Sequence, residues 1–315
     1  QERSAMEQRY LGKSGLKVSE VGLGCNNFGA LDVEASREVV HRALDLGVTL
    51  FDTADVYGNR GGSETQLGEI LGPRRKDIVL ATKFGAPMDD RGGGASRRYI
   101  LSACEASLDR LKTDWIDLYQ VHRPDPHTPI EETLSALDDL IRQGKVRYVG
   151  CSNFASWQVV DALWTAHDRR FTGFVSAQDE LSLLVRDAER ELIPVLEAKG
   201  LGLLPYFPLA CGFLTGKYAR GSGVPAGTRM ARMTRYADRY MTEKNWAVVG
   251  NLRAFCESRG HTILELAFSW LLSKHPVASV IAGATKPEQV EANAKAGHWK
   301  LTHDDLVEID KITTS

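Results

Sequence analysis

Three apolar runs in the chain end on side chains that can move protons. The stretch TLFDTADVYG, residues 49–58, places Asp52 where its apolar half stops and Tyr57 in the loop that follows. VLATK ends on Lys83, and LYQVH ends on His122. Taken singly, each has an ordinary explanation: an Asp caps a turn, a Tyr packs, a Lys is solvated and a His hydrogen-bonds its loop. Brought together, a lysine flanked by a carboxylate and a phenol is an arrangement that shifts pKa values. A free phenol titrates near ~10 and is a weak acid at neutral pH. An ammonium about 4 Å away favours the phenolate by up to about 4 kcal/mol at an effective dielectric near ~20, roughly three pKa units before burial opposes it. Such a trio suits proton donation to an oxygen that is becoming an alkoxide, with His122 orienting a carbonyl or sharing the proton. No activated Ser or Cys accompanies it, and no HExxH or HxH spacing points to a metal.

The rhythm of the chain supplies what would bring these groups together. Short apolar runs at 20–24, 47–51, 77–82, 115–121, 146–150, 173–177, 201–206 and 277–282 predict eight strands. Amphipathic stretches near 35–46, 63–71, 97–111, 130–143, 156–167, 188–199 and 245–274 alternate with them, and another at 287–296 follows the last. Each crossover is long enough for parallel pairing. Near-continuous apolar strands have both sheet faces covered, and eight β/α repeats are the count at which a parallel sheet closes into a (β/α)8 barrel. A doubly wound open sheet is the competitor. The third glycine of GLGCNNFG (22–29) comes two positions too late for its GxGxxG phosphate loop, and no helix opens promptly. In a barrel the active site lies at the C-terminal ends of the strands, where Asp52, Lys83 and His122 fall. A hairpin around YLGKSGLKVS, turning at Ser14 and Gly15, is expected ahead of the barrel, and long loops at 84–96 and 207–244 interrupt it.

Composition narrows the partners. At 315 residues, 43% hydrophobic and 25% charged, the chain reads as globular, and no linker or shift in composition divides it. Residues 9–315 are therefore expected to form one domain, with residues 1–8 a flexible N-terminus in which Met6 suggests a short remnant ahead of the native sequence. A formal charge of −2 leaves no basic footprint for nucleic acid, and no segment reaches the roughly 20 apolar residues of a membrane span. A small-molecule partner is the expectation. The start QERSAMEQ lacks the apolar core of a signal peptide, and five widely spaced cysteines without a CxxC pair suit a reducing cytoplasm better than a disulfide framework. Cys25, Cys151 and Cys211 follow strand ends and are read as small, partly buried neutral thiols. Asp55 is read as turn structure.

FDTADVYG, ATKFG and LYQVHRPDP resemble the aldo-keto reductase family, and the likeness continues in family order through GCSNF, AQDELSLL, PYFPLACGFLTGKY and IAGATKPEQVEAN, over roughly residues 9–312. The resemblance implies a (β/α)8 barrel that uses NADPH without a Rossmann domain, and a catalytic tetrad of Asp52, Tyr57, Lys83 and His122 with Tyr57 as general acid. It also implies Ser152, Asn153 and Gln178 on the nicotinamide carboxamide and Tyr206 stacked on the nicotinamide ring. Leu209, Gly212 and Lys217 would pass over the pyrophosphate. Gly283, Thr285, Lys286, Gln289 and Asn293 would surround the adenosine end, with Lys286 the main cation for a 2′-phosphate, because Gln289 stands where a number of members have Arg. The implied substrate is an aldehyde or ketone. Two rivals follow from the same residues: a nucleotide-sensing accessory subunit similar to potassium-channel β subunits, and a Schiff-base aldolase using Lys83.

Overall fold

The structure, a computed structural model, describes residues 6–88 and 92–314. An antiparallel hairpin of β1 (Gln8–Tyr10) and β2 (Lys17–Ser19) leads the chain, with Tyr10 opposite Lys17. Eight parallel strands follow: β3 (Val21–Gly24), β4 (Leu50–Asp52), β5 (Val79–Phe84), β6 (Ile116–Val121), β7 (Val146–Ser152), β8 (Ser176–Glu180), β9 (Gly202–Tyr206) and β10 (Val280–Gly283). They pair in the order β10-β3-β4-β5-β6-β7-β8-β9. Leu203 N donates to Pro276 O at 2.6 Å and Ala278 N to Leu203 O at 3.0 Å, which draws the two edges together. The sheet is the (β/α)8 barrel that the alternation of apolar runs and amphipathic stretches implies.

The layers around the strands follow the helical periodicity. α1 (Val33–Asp45), α2 (Tyr57–Leu71), α3 (Arg97–Leu111), α4 (Ile130–Arg142), α5 (Ser156–Arg169) and α6 (Leu192–Lys199) connect β3 to β9. Between β9 and β10 lie α7 (Arg229–Arg232), α8 (Thr234–Tyr240), α9 (Glu243–Glu257) and α10 (Ile263–Leu272), and α11 (Pro287–Lys295) and α12 (His303–Thr314) complete the chain. The barrel interior is filled by Leu50, Ala81, Leu118, Leu204, Ala278 and Ile281. Leu11 and Val18 of the hairpin join them, so the hairpin plugs the N-terminal end of the barrel. Lys13 N donates to Gly200 O at 2.8 Å, and a Cβ on Gly12, whose φ is +58°, would lie 2.5 Å from that same oxygen. The seat therefore demands glycine.

Several boundaries differ from the sequence reading. The single helix expected over 245–274 is two helices, because Gly260 takes φ +72° and Thr262 and Glu265 cap α10 reciprocally. The strand expected at 173–177 is displaced to Ser176–Glu180, since Thr172 is tied by its N–H and hydroxyl to Asp138 Oδ1 and the following residues approach the barrel as loop. The last strand begins at Val280, as Val277 and Ala278 are engaged with Leu203 at the barrel seam. The helix near 188–199 begins at Leu192 after a 3-10 turn at Asp187–Glu189. α12 was not expected from periodicity; Thr302 and Asp305 cap its start. All five cysteines are buried, and none forms a disulfide among the described residues. Among the described residues no helix is long and apolar enough to cross a membrane.

Candidate active site

The C-terminal ends of the strands deliver the proposed groups to one place. Asp52 closes β4, Lys83 lies in β5, and His122 follows β6 with its N–H donating to Phe84 O at 2.8 Å. Tyr57 sits where the chain turns from β4 into α2. Gly58, Asn59, Arg60 and Gly61 all take positive φ before regular helix begins. A Cβ on Gly58 would meet Phe28 O at 2.4 Å, so this turn packs against the exit of β3 and fixes the direction in which Tyr57 points.

Lys83 is buried beneath the other three. Its ammonium donates to Asp52 Oδ2 at 2.6 Å, to Thr53 O at 2.9 Å and to Tyr57 Oη at 3.5 Å. Burial alone would lower its pKa, but the charge on Asp52 and then the Tyr57 phenol outweigh it and hold the ammonium above its ordinary value. The Tyr57 and His122 rings meet edge to face at 5.8 Å. Burial, with the charges of Lys83 and Arg123 adding to it, lowers the His122 pKa to about 3, so the imidazole is neutral at working pH. Its Nδ1 is buried without a partner among the described residues, which leaves Nε2 as the nitrogen available to a ligand.

Above these residues opens a cavity of about 1100 Å³. Of the residues singled out from sequence, Asp52, Tyr57, His122, Ser152, Asn153, Gln178, Tyr206, Leu209, Gly212, Lys217, Gly283, Thr285, Lys286, Gln289 and Asn293 all line it; Lys83 lies just below. Asn153, at φ +59°, donates from Nδ2 to His122 O at 3.0 Å and accepts from Tyr206 Oη at 2.7 Å, so one amide ties the ends of β6, β7 and β9. Beyond Tyr206 the chain enters a tight 3-10 turn, Ala210–Thr215. A Cβ at Gly212 would fall 2.7 Å from Lys217 Nζ, which places that ammonium against the turn's backbone. At the far end Gln289 Oε1 accepts from Thr285 N at 2.7 Å, fixing the turn in which Lys286 stands at the N-cap position of α11.

The family model described as "Aldo/keto reductase family" matches residues 20–314. The chain belongs to the aldo/keto reductase family. Similar proteins include the "uncharacterized oxidoreductase YrpG" of Bacillus subtilis (strain 168), 38% identical over 96% of this chain and 94% of the relative. A "probable voltage-gated potassium channel subunit beta" of Arabidopsis thaliana is 38% identical over 92% and 91%, and the "L-glyceraldehyde 3-phosphate reductase" of Escherichia coli (strain K12) 34% over 97% and 92%. Members of the family act on small carbonyl compounds and generally use a nicotinamide cofactor, and this chain has the (β/α)8 barrel.

The site also holds groups that the sequence reading passed over. Gln120 in β6 donates to Asp52 Oδ1 at 3.1 Å, and Gln178 donates to the same oxygen at 3.0 Å and to Gln120 Oε1 at 3.1 Å. Asp52 thus has both oxygens engaged, one by the ammonium and one by two amides. A polar residue on the same strand face as His122, two positions before it, was the available signal. Asp55, read as turn structure, is buried, and neither carboxylate oxygen has a hydrogen-bond partner of ordinary geometry among the described residues. Its pKa rises to about 7 through burial first and the charge of Glu64 second, opposed by Arg110. Cys25 and Cys151 are fully buried rather than partly so, while Cys211 keeps a small exposure on the cavity wall, and burial raises the Cys25 and Cys151 thiols above their ordinary range.

Proposed function

We propose that this chain is an NADPH-dependent carbonyl reductase in which Tyr57 donates the proton. The observation that carries the reading is the Asp52–Lys83–Tyr57 chain at 2.6 and 3.5 Å, set at the floor of a cavity larger than a single small ligand needs. The residues fit the cofactor: Tyr206 offers an aromatic face beside Asn153 and Ser152, and Lys217 and Lys286 offer cations at separate places along the wall. Bound there, a dihydronicotinamide would supply the hydride that adds to the carbonyl carbon. The C=O π pair moves onto oxygen and takes the Tyr57 proton, which leaves an alcohol and a phenolate. Lys83 stabilises that phenolate, and water returns its proton. Neutral His122, donating from Nε2, holds the oxygen while charge develops on it. Tyr57→Phe is expected to lower kcat for an aldehyde at least about 100-fold while NADPH still binds, followed by loss of NADPH absorbance and by its fluorescence; near-full turnover would end this mechanism.

The relatives named as potassium-channel β subunits support a second reading, an accessory subunit that senses its nucleotide through slow hydride transfer. Repeated turnover with excess aldehyde favours the enzyme, whereas one oxidation per tightly held cofactor favours the sensor. An aldolase is disfavoured, because Asp52 keeps Lys83 charged and a Schiff base needs the free amine.

A further inference from the structure

We infer that the carbonyl substrate carries an anionic group, a carboxylate or a phosphate, which Arg123 and Arg235 bind at the opening of the cavity. The inference rests on the reductase reading and names the substrate class for that site. Four cationic side chains line the cavity, Arg123, Lys217, Arg235 and Lys286, against one carboxylate, Asp52, which Lys83 already neutralises. Two acids on segments next to the lining, Asp125 and Glu180, are occupied. Asp125 accepts from Ala95 N at 2.8 Å, His127 N at 2.9 Å and Thr128 Oγ1 at 2.8 Å. Glu180 takes Arg239 at 2.8 Å and the Tyr240 hydroxyl. Arg123 and Arg235 are both exposed, and neither has an ion-pair partner among the described residues.

The four cations divide by position. Lys286 stands at the N-terminus of α11, and Lys217 lies against the Gly212 turn, where the proposed cofactor's phosphates would neutralise them. The arginines belong to the other end. Arg123 directly follows His122, and its charge helps keep that imidazole neutral. Arg235 lies over the Tyr236 ring, 4.9 Å from its centroid; Tyr236 meets Phe207 edge to face at 5.6 Å, and Phe207 meets Tyr206 at 5.1 Å. Two guanidiniums without an ion-pair partner among the described residues therefore line the cavity, one beside His122 in the chain and one linked to Tyr206 through the Tyr236 and Phe207 rings, its Nη2 also donating to Tyr236 Oη at 3.3 Å. A guanidinium matches a carboxylate or phosphate through two parallel N–H bonds, and unpaired like charges at an opening also draw an anion inward.

The test uses matched aldehydes with the intact protein and NADPH: 4-carboxybenzaldehyde against 4-formylbenzamide, and glyceraldehyde 3-phosphate against glyceraldehyde. We expect kcat/KM for the anionic member to exceed that for its neutral partner about tenfold or more in at least one pair. That ratio should fall about tenfold in Arg123→Met and in Arg235→Met, and should shrink as salt rises from about 50 to 500 mM. The ratio is its own control, since general damage lowers both members alike. The pair that shows the preference tells carboxylate from phosphate. Equal use of charged and neutral aldehydes, or ratios within about twofold of wild type in both variants, would overturn the anion site and leave the reductase reading standing. Failure of every aldehyde to oxidise NADPH would instead remove the reductase reading. In that event the anion site is tested by titrating NADP⁺-loaded protein with 4-(hydroxymethyl)benzoate and with 4-(hydroxymethyl)benzamide by calorimetry. Tighter binding of the carboxylate that Arg123→Met abolishes supports the site, and equal or undetectable binding of the two overturns it.

Discussion

At the scale of single residues, the behaviour of each group depends on what shares its burial. Lys83 keeps its charge underground because Asp52 balances it and Gln120 and Gln178 satisfy the second Asp52 oxygen. Asp52→Asn removes the counter-charge, and we expect kcat to fall about 10- to 100-fold in stopped-flow reduction, a smaller loss than Tyr57→Phe. His122 titrates near 3 in the fold against an ordinary value near 6.5, so the unfolded chain binds the extra proton first. Stability linked to it is complete above about pH 6.5 and declines as pH falls toward 3. Its ring-proton resonance, assigned by its loss in His122→Asn, should hold the neutral position from pH 8 to 5. Asp55 has the opposite sign. Its folded value, about 7, lies above the unfolded ~3.9, so folding takes up a proton between these limits and stability falls as pH rises through that window. Asp55→Asn should therefore gain about 1–3 kcal/mol over wild type at pH 8 and little at pH 4 in urea unfolding. Asp52, Lys83 and His122 were legible because each ends an apolar run, and Tyr57 because it stands in the loop just after the first of them. Gln120 and Asp55 were not, since the weight of Gln120 lies in the side chains of β4 and β8 that it meets and that of Asp55 in its burial beside Glu64.

At the scale of elements, the strands position chemistry and the loops choose what reaches it. Lys286 stands at the start of α11, where the turn is held by Gln289 rather than opened toward a ligand. With a single cation there, Lys286→Met is expected to raise KM for NADPH about tenfold and KM for NADH less than about twofold, read by steady-state kinetics with each cofactor. The helices on the outside are fixed just as closely. A Cβ on Gly68 would lie 2.3 Å from Arg110 O, so Gly68→Ala must push α2 from α3 and should cost about 2–4 kcal/mol by thermal unfolding. The periodicity of the sequence revealed which segments are strands and helices but placed edges poorly where side chains decide them. Thr172 bound to Asp138 delays β8, and the Thr262–Glu265 box divides what reads as one long helix. The latter signal, T-x-x-E ahead of an apolar run, stands in the sequence; its weight against continuous amphipathicity becomes clear only with the turn at Gly260.

For the whole molecule, one end of the barrel is sealed and the other works. Leu11 is fully buried among Leu50, Leu118 and Leu204, and Leu11→Ala should cost about 2–5 kcal/mol in denaturant unfolding. Its distance from Tyr57 in the barrel predicts that Kd for NADPH, measured by fluorescence, changes less than about twofold in the folded variant. The burial of all five thiols has a separate use. Cys25 and Cys211 flank the cavity, Cys104 lies on α3, Cys151 in β7 and Cys256 on α9, so sulfur is spread around the circumference. A thiol reagent reaches Cys104, Cys151 and Cys256 only when the sector around each breathes and Cys25 and Cys211 from the cavity side, and mass spectrometry of timed labelling would rank the five by rate. Nature has in effect installed five clocks in this barrel, and the one at Cys211 should run slower whenever a cofactor holds the turn above it closed.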